Sequence, residues 1–214
     1  MNRAEFRNIL LSLDLSDRPD EMACRQRMIE LLDSCQNCFR RDAFPAHFTG
    51  SAFVVSADGA RSLLHHHRKL DRWLQFGGHC DGEEDVLSVA QREANEESGI
   101  QGLVVASSRP FDLDIHEIPA FGDEPTHLHY DVRYVLIAPE QAEIQTSSES
   151  KELRWFEPSE IGSWPLDAGL RRLIGKWQAG RVNEIRTIDR HNAMHERNRE
   201  HSERNKIPNQ GSRI

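Results

Sequence analysis

The chain is poor in cysteine, with 4 in 214 residues, and poor in aromatics, at 7% with only 2 tyrosines. It has no run approaching the roughly 18 to 20 apolar residues that a membrane span needs. Four cysteines are too few for a disulfide scaffold. Cys35-Gln-Asn-Cys38 lacks the second pair that a structural zinc site requires, so Cys24, Cys35, Cys38 and Cys80 are expected as ordinary reduced thiols. The opening MNRAEFRNIL carries Glu5 and no signal-type apolar stretch, which makes a cytoplasmic location the default expectation and a membrane partner unexpected. A basic stripe is also missing. Residues 181–214 hold 8 basic and 5 acidic side chains, leaving 19 and 30 for residues 1–180, so the body carries −11 and the tail +3. Nucleic-acid backbone binding needs clustered Lys and Arg to displace counterions, so it is not expected as the main function. An acidic body suits divalent cations.

What is present falls into three parts. Residues 4–15 and 20–40 have helical spacing, with Ile9, Leu10 and Leu13 in one and Met28, Ile29 and Leu32 in the other. Ser16 or Asp17 before Pro19 is a plausible cap, and residues 1–44 are expected as a helical extension that offers a packing or homodimer surface. Residues 45–180 read as one domain. Ser51–Ala57, a turn at Asp58-Gly59 and Arg61–His67 suggest a hairpin, followed after residue 100 by β-like runs at Leu103–Ser107, Phe111–Ile118 and His127–Ala138. Between them lies a helix from about Glu84 to Ser98, closed by Gly99 in the position a left-handed C-cap prefers. A short strand at Leu153–Phe156 and a helix at Asp167–Gln178 complete the domain. Residues 181–214 are a polar tail with little to bury, expected to be a frayed helix or disordered.

The chemistry concentrates in residues 77–100, GGHCDGEEDVLSVAQREANEESGI. Glu93 lies three residues before Glu96 and four before Glu97, so the three carboxylates project from neighbouring positions on one helix face. Crowded toward a helix C-terminus, they repel one another and oppose the macrodipole unless something positive sits among them. Arg92 neutralises part of that charge. Oxygen ligands of this kind suit Mg²⁺ or Mn²⁺. An acidic helix alone reads as a solvated face, but Gly77, Gly78 and Gly82 permit a close backbone approach that a solvated helix does not need.

The order Gly78, five residues, Glu84, seven residues, Arg92-Glu93-Ala94, one residue, Glu96-Glu97, one residue, Gly99-Ile100 resembles the Nudix box at every fixed position. The resemblance implies an α/β fold, an α/β/α sandwich around a mixed sheet, over about residues 45–180. It also implies metal-dependent hydrolysis of a phosphoanhydride in a small molecule, a nucleoside diphosphate linked to another moiety or a related diphosphate, by attack of a metal-activated water on phosphorus. Under it Glu93, Glu96 and Glu97 bind metal, the Gly77 carbonyl joins them, Arg92 orients a glutamate and Glu84 braces the loop. A carboxylate six residues before a late tryptophan serves many members as a base or further ligand. Glu149 stands at that offset from Trp155, with Glu152 as the nearby competitor. The other reading is a Nudix-fold sensor that binds a nucleotide without turnover, although a sensor has no need of mutually repelling carboxylates.

Eleven histidines are many for this length. His47 precedes the first expected strand, His79 lies in the box loop, and His127 and His129 share one strand face. That placement is similar to isopentenyl diphosphate isomerase, a branch of the same fold whose extra metal is held by histidines before the first strand and in the box loop, with two carboxylates on a later strand. His47, His79, His127 and His129 are therefore candidates for a second metal or phosphate site. Isomerase activity itself is not expected, because that branch's cysteine falls at Gly77 and Cys80 is displaced past His79. Arg68 and Lys69, after His65-His66-His67, are candidates for phosphate contact. The Ser-Gln-Pro-Trp-Pro signature of NADH-cleaving members is absent. Ile115 and His116 stand where ADP-ribose enzymes place a proline, and Leu74-Gln-Phe76 replaces the commoner approach to the glycines. The substrate stays open.

Overall fold

The computed structural model describes residues 1–161, 164 and 166–180. The expected polar tail at 181–214 lies outside the described residues. Helix α1 (Arg3–Leu11) starts with a reciprocal cap in which the Asn2 side chain accepts from the Glu5 N–H and the Glu5 carboxylate accepts from the Asn2 N–H. Helix α2 (Pro19–Ser34) begins without a side-chain cap: Arg18 occupies the N-cap, and neither Ser16 nor Asp17 serves. Pro19 at the first helical position has no N–H to satisfy, which removes part of the need for one. This helix also ends at Ser34, short of the expected residue 40, because Cys35 turns extended and residues 36–42 form turns.

Among the described residues eight strands form one mixed sheet: β1 (Ala46–Val55), β2 (Ser62–His67), β3 (Arg72–Leu74), β4 (Phe76–His79), β5 (Val104–Val105), β6 (Asp112–Ile118), β7 (His127–Ile137) and β8 (Ser150–Phe156). Strand β1 is central and pairs in parallel with β7, while every other pairing is antiparallel. Along its length β1 meets β4 at Thr49–Ala52 and then β2 at Val54–Val55. The expected hairpin is thus present, but β1 starts at Ala46, so His47 lies inside the strand and not before it. The other helices are α3 (Val86–Ser98), α4 (Pro158–Ile161) and α5 (Ala168–Gln178).

Alternation along β1 and β7 separates two apolar layers. Phe48, Ala52, Val54, Val132 and Tyr134 pack with Phe6, Leu10 and Met28 of the first two helices and with Ala90 and Ala94 of α3. On the opposite face Phe53, Val55 and Val135 pack with Leu170, Leu173, Ile174 and Trp177 of α5. The result is an α/β/α arrangement in which the N-terminal helices share the domain's own core. Phe6 meets the Phe48 ring edge-on at 5.4 Å, and Phe39 stacks on it at 5.3 Å. Gly50 sets the depth of α3, since a Cβ there would lie 2.6 Å from the Val86 carbonyl oxygen and 3.1 Å from the Ala90 nitrogen. Gly50→Ala is expected to lower stability by about 1 to 3 kcal/mol, read from urea denaturation, because backbone on both sides must shift. A change below about 0.5 kcal/mol would mean that α3 is free to move away.

Candidate active site

The carboxylates collect where α3 crosses the open edge of β4. The helix begins at Asp85, whose side chain accepts from the Ser88 N–H, and ends at Gly99 with φ 71°, the left-handed cap read from the sequence. Gly77 donates its N–H to Glu97 Oε2 at 2.9 Å. In an antiparallel pair a residue's N–H and C=O point to the same side, so the Gly77 carbonyl also faces away from β1, beside Glu97. Two residues on, the His79 carbonyl accepts from Arg92 at 3.3 Å on that same edge. Gly78 faces the helix: a Cβ there would stand 2.5 Å from the Glu93 carboxyl carbon, so only glycine lets β4 pass under Glu93.

The charges in this cluster are poorly balanced. Arg92 donates to Glu93 at 2.7 Å and lies 3.8 Å from Glu96. Burial pushes the Glu97 carboxyl up to about 8, against the Gly77 hydrogen bond and with help from the charges of Glu93, Glu149 and Glu96. Burial likewise raises Glu93, with Arg92 opposing and Glu96 and Glu149 adding to the rise. Behind Glu97 sits buried His65, its Nδ1 at 3.8 Å from Glu97 and 2.9 Å from the Ser150 hydroxyl. Burial holds His65 down to about 4, so the contact is between neutral groups. The exposed Glu96 turns outward, and the three glutamates do not converge to the 4.8 Å at which the donor atoms of a histidine cluster do.

Glu149, in the turn before β8, and Glu152, within it, part company. Glu152 pairs with His66, which stacks on Trp73 on the face away from α3, whereas the charge of Glu149 is felt by both Glu93 and Glu97. Arg68 fixes this segment. Its backbone N–H donates to the Glu149 carbonyl at 2.7 Å and its guanidinium to the Ser148 and Ser150 carbonyls at 3.1 and 2.9 Å. The guanidinium expected on phosphate is therefore engaged with backbone, while Lys69 is exposed. Glu84, the expected brace of the loop, accepts from the Arg3 N–H of the N-terminal extension at 2.9 Å.

On the opposite face the first halves of β1 and β7, with β4 and β6, are polar. Register sets His47 beside His129, Thr49 beside Asp131 and Ser51 beside Arg133, with His79 next to Thr49 and His116 next to His129. The imidazole centroids of His47, His79 and His127 lie 4.9, 5.0 and 5.1 Å from that of His129. The four predicted histidines are thus brought together. Burial, then the neighbouring positive charges, holds His79 down to about 4, and burial also lowers His47 and His129. Cys80 is buried, with burial pushing its thiol far up, so it supplies no nucleophile. All four cysteines are free.

The NUDIX domain model matches residues 47–177. The chain belongs to the NUDIX family. It shares its fold with an Ap4A hydrolase from C. elegans, solved as a binary complex, at 19% identity and a TM-score of 0.50 over 64% of this chain and 98% of that one. A NUDIX-family hydrolase from Clostridium perfringens is 22% identical over 62% of this chain and 97% of its own, with a TM-score of 0.46. No curated protein matches the chain.

Within the Nudix domain none of Asp112, Asp114 and Asp131 is singled out by the sequence alone. They belong to a buried ladder built on Arg133, which donates to Asp131 at 2.7 Å, Asp112 at 3.0 Å and Asp114 at 2.8 Å. Thr49 and Ser51 donate to Asp131, and Arg172 and Lys176 of α5 reach Asp112 at 2.8 and 2.7 Å. A signal existed: Asp112, Asp114 and His116, and His129, Asp131 and Arg133, each repeat with the period of two that puts side chains on one strand face.

Proposed function

We propose that the Nudix domain hydrolyses a phosphoanhydride in a small molecule, a nucleoside diphosphate linked to another group or a related diphosphate. Mg²⁺ or Mn²⁺ held by Glu93, Glu96, Glu97 and the Gly77 carbonyl is part of this reading. The observation that carries it is the unneutralised carboxylate cluster at the edge of β4, where Glu97 is pushed up to about 8 with Gly77 beside it. Those residues fit a hard cation, being oxygen donors with excess negative charge and a single arginine among them. Bound there, the ion neutralises phosphoryl charge and lowers the pKa of a water for in-line attack on phosphorus. A second cation, held by the histidines of the neighbouring face, belongs to the same reading.

The chain's own residues do the remaining work. Gly78 lets β4 pass under Glu93, Arg92 holds Glu93 in place, and Gly77 holds Glu97. Glu149, exposed beside the cluster and fixed through its carbonyl by Arg68, takes the proton from the attacking water. Glu149→Gln is expected to lower kcat about 10²-fold with little change in KM, and Glu152→Gln to leave both within about twofold. Steady-state hydrolysis of a diphosphate panel with Mg²⁺ or Mn²⁺ checks this. Equal losses in the two variants would remove Glu149 from the role. Nucleotide binding without turnover on any panel member would make the domain a sensor.

A further inference from the structure

We infer that His47, His127 and His129 form a three-nitrogen site for a Zn²⁺-class ion, with a fourth coordination position open to water or an oxyanion. This deepens the second-cation reading by naming the donor atoms, the ion and the exogenous ligand, and it stands whether or not the carboxylate site turns over substrate.

One donor nitrogen from each of these histidines lies within 4.8 Å of the others, the one set of three or more His, Cys, Asp or Glu donors to do so among the described residues. Tautomers follow from the partners. His127 Nδ1 faces the Pro125 carbonyl at 2.8 Å and His47 Nδ1 faces the Ala43 carbonyl at 3.3 Å. A carbonyl only accepts, so both Nδ1 atoms carry the proton and both Nε2 atoms present lone pairs. His127 Nε2 stands 3.3 Å from His129 Nε2. A proton on His129 can bridge that pair, but it leaves His47 Nε2 buried with no hydrogen-bond partner. An orphaned buried acceptor of this kind costs about 1 to 3 kcal/mol. A single cation among the three nitrogens satisfies all of them. Backbone carbonyls holding the outer nitrogens of metal-bound histidines are the usual supporting shell.

The class of ion follows from the donors. Neutral imidazoles suit Zn²⁺ and its neighbours and not Mg²⁺, which separates this site from the oxygen site on the other face. His79 is adjacent, its ring centroid 5.2 Å from that of His47, yet it falls outside the converging set. Three protein ligands with an open fourth position are the arrangement of zinc sites that bind an exogenous ligand. Arg41, whose charge reaches His47 and His79, stands near the site, paired with Glu124 at 3.2 Å.

The test uses the full chain carrying Glu97→Gln, so that an ion at the carboxylates is not counted. After chelation, reloading with Zn²⁺ and dialysis, about one ion per chain is expected to remain. Further substitution of His47→Ala or His129→Ala is expected to abolish retention with the fold intact by circular dichroism, while His79→Ala keeps it. Reloading with Co²⁺ gives a spectroscopic readout that does not depend on activity, and inorganic phosphate is expected to shift its ligand-field bands. If His129→Ala unfolds, His47→Ala and the Co²⁺ spectrum decide. Absence of retained ion, equal retention in the folded His47→Ala protein, or loss in His79→Ala overturns the site. Unchanged bands with phosphate overturn the open position. Turnover failing in the wild-type chain while Zn²⁺ is retained would remove the hydrolase reading and leave this one standing.

Discussion

Glu97→Gln is expected to lower turnover by about 10³-fold and yet make the metal-free protein more stable at alkaline pH. Losing one ligand of a charge-stabilising clamp has effects of that size on kcat. The stability effect comes from burial. In the metal-free fold the Glu97 carboxyl is pushed up to about 8 from an ordinary value of 4.5, chiefly by desolvation. A folded state that holds its proton longer than the unfolded chain is most stable, in this respect, below about pH 4.5, and it loses that advantage as pH rises through about 8. Glutamine keeps the shape without the charge. The variant should therefore gain on the order of 2 to 3 kcal/mol over wild type above about pH 8.5 and little below about pH 5. Thermal melts with chelator present check this. A loss of stability at both pH values would make Glu97 a structural anchor for β4, and normal turnover would remove it from the site altogether.

Arg133→Met is expected to be the most damaging single substitution for stability, costing about 3 to 5 kcal/mol in urea denaturation. The guanidinium is buried between Asp112, Asp114 and Asp131, each within 3.0 Å. Methionine fills the space but leaves three carboxylates facing one another, of which Arg172 meets Asp112 and Asp114 while Lys176, shared with Glu21, meets Asp112. Asp131 keeps just the Thr49 and Ser51 hydroxyls. Gly169 of α5 packs so closely on this guanidinium that a Cβ there would lie 2.6 Å from its Nη1, so the helix is seated on the same group. Arg154→Met, which breaks an exposed pair with Glu160, should cost less than about 1 kcal/mol. Similar costs for the two would mean that the buried ladder relaxes around the loss.

The contrast between these two residues shows what was legible in the sequence. Glu97 was found because its neighbours lie within one helix, where spacing alone fixes a shared face. The cap at Gly99, the β1–β2 turn and the helix α5 were equally local and stand close to where they were read. Arg133 was missed because Asp112 and Asp114 reach it from β6, and only strand register brings them beside Asp131 and Arg133 of β7. For the same reason the histidines were recognisable as candidates, but not which three converge. Strand β4 hid behind Gly77-Gly78, residues that weaken a strand signal, although here glycine is what lets Glu93 and Ser51 approach from the two faces. The early start of β1 hid behind His47, Thr49 and Gly50, polar or flexible residues whose strand conformation comes from pairing with β7.

The central claim, that the carboxylate cluster at the edge of β4 serves hydrolysis at phosphorus, is tested most directly by turnover in ¹⁸O-water with Mg²⁺ and product analysis by ³¹P NMR. The expected result is ¹⁸O bonded to phosphorus in one of the two products, with the signal lost in Glu97→Gln. Label appearing on carbon, or in the Glu97→Gln products at the wild-type rate, would contradict it.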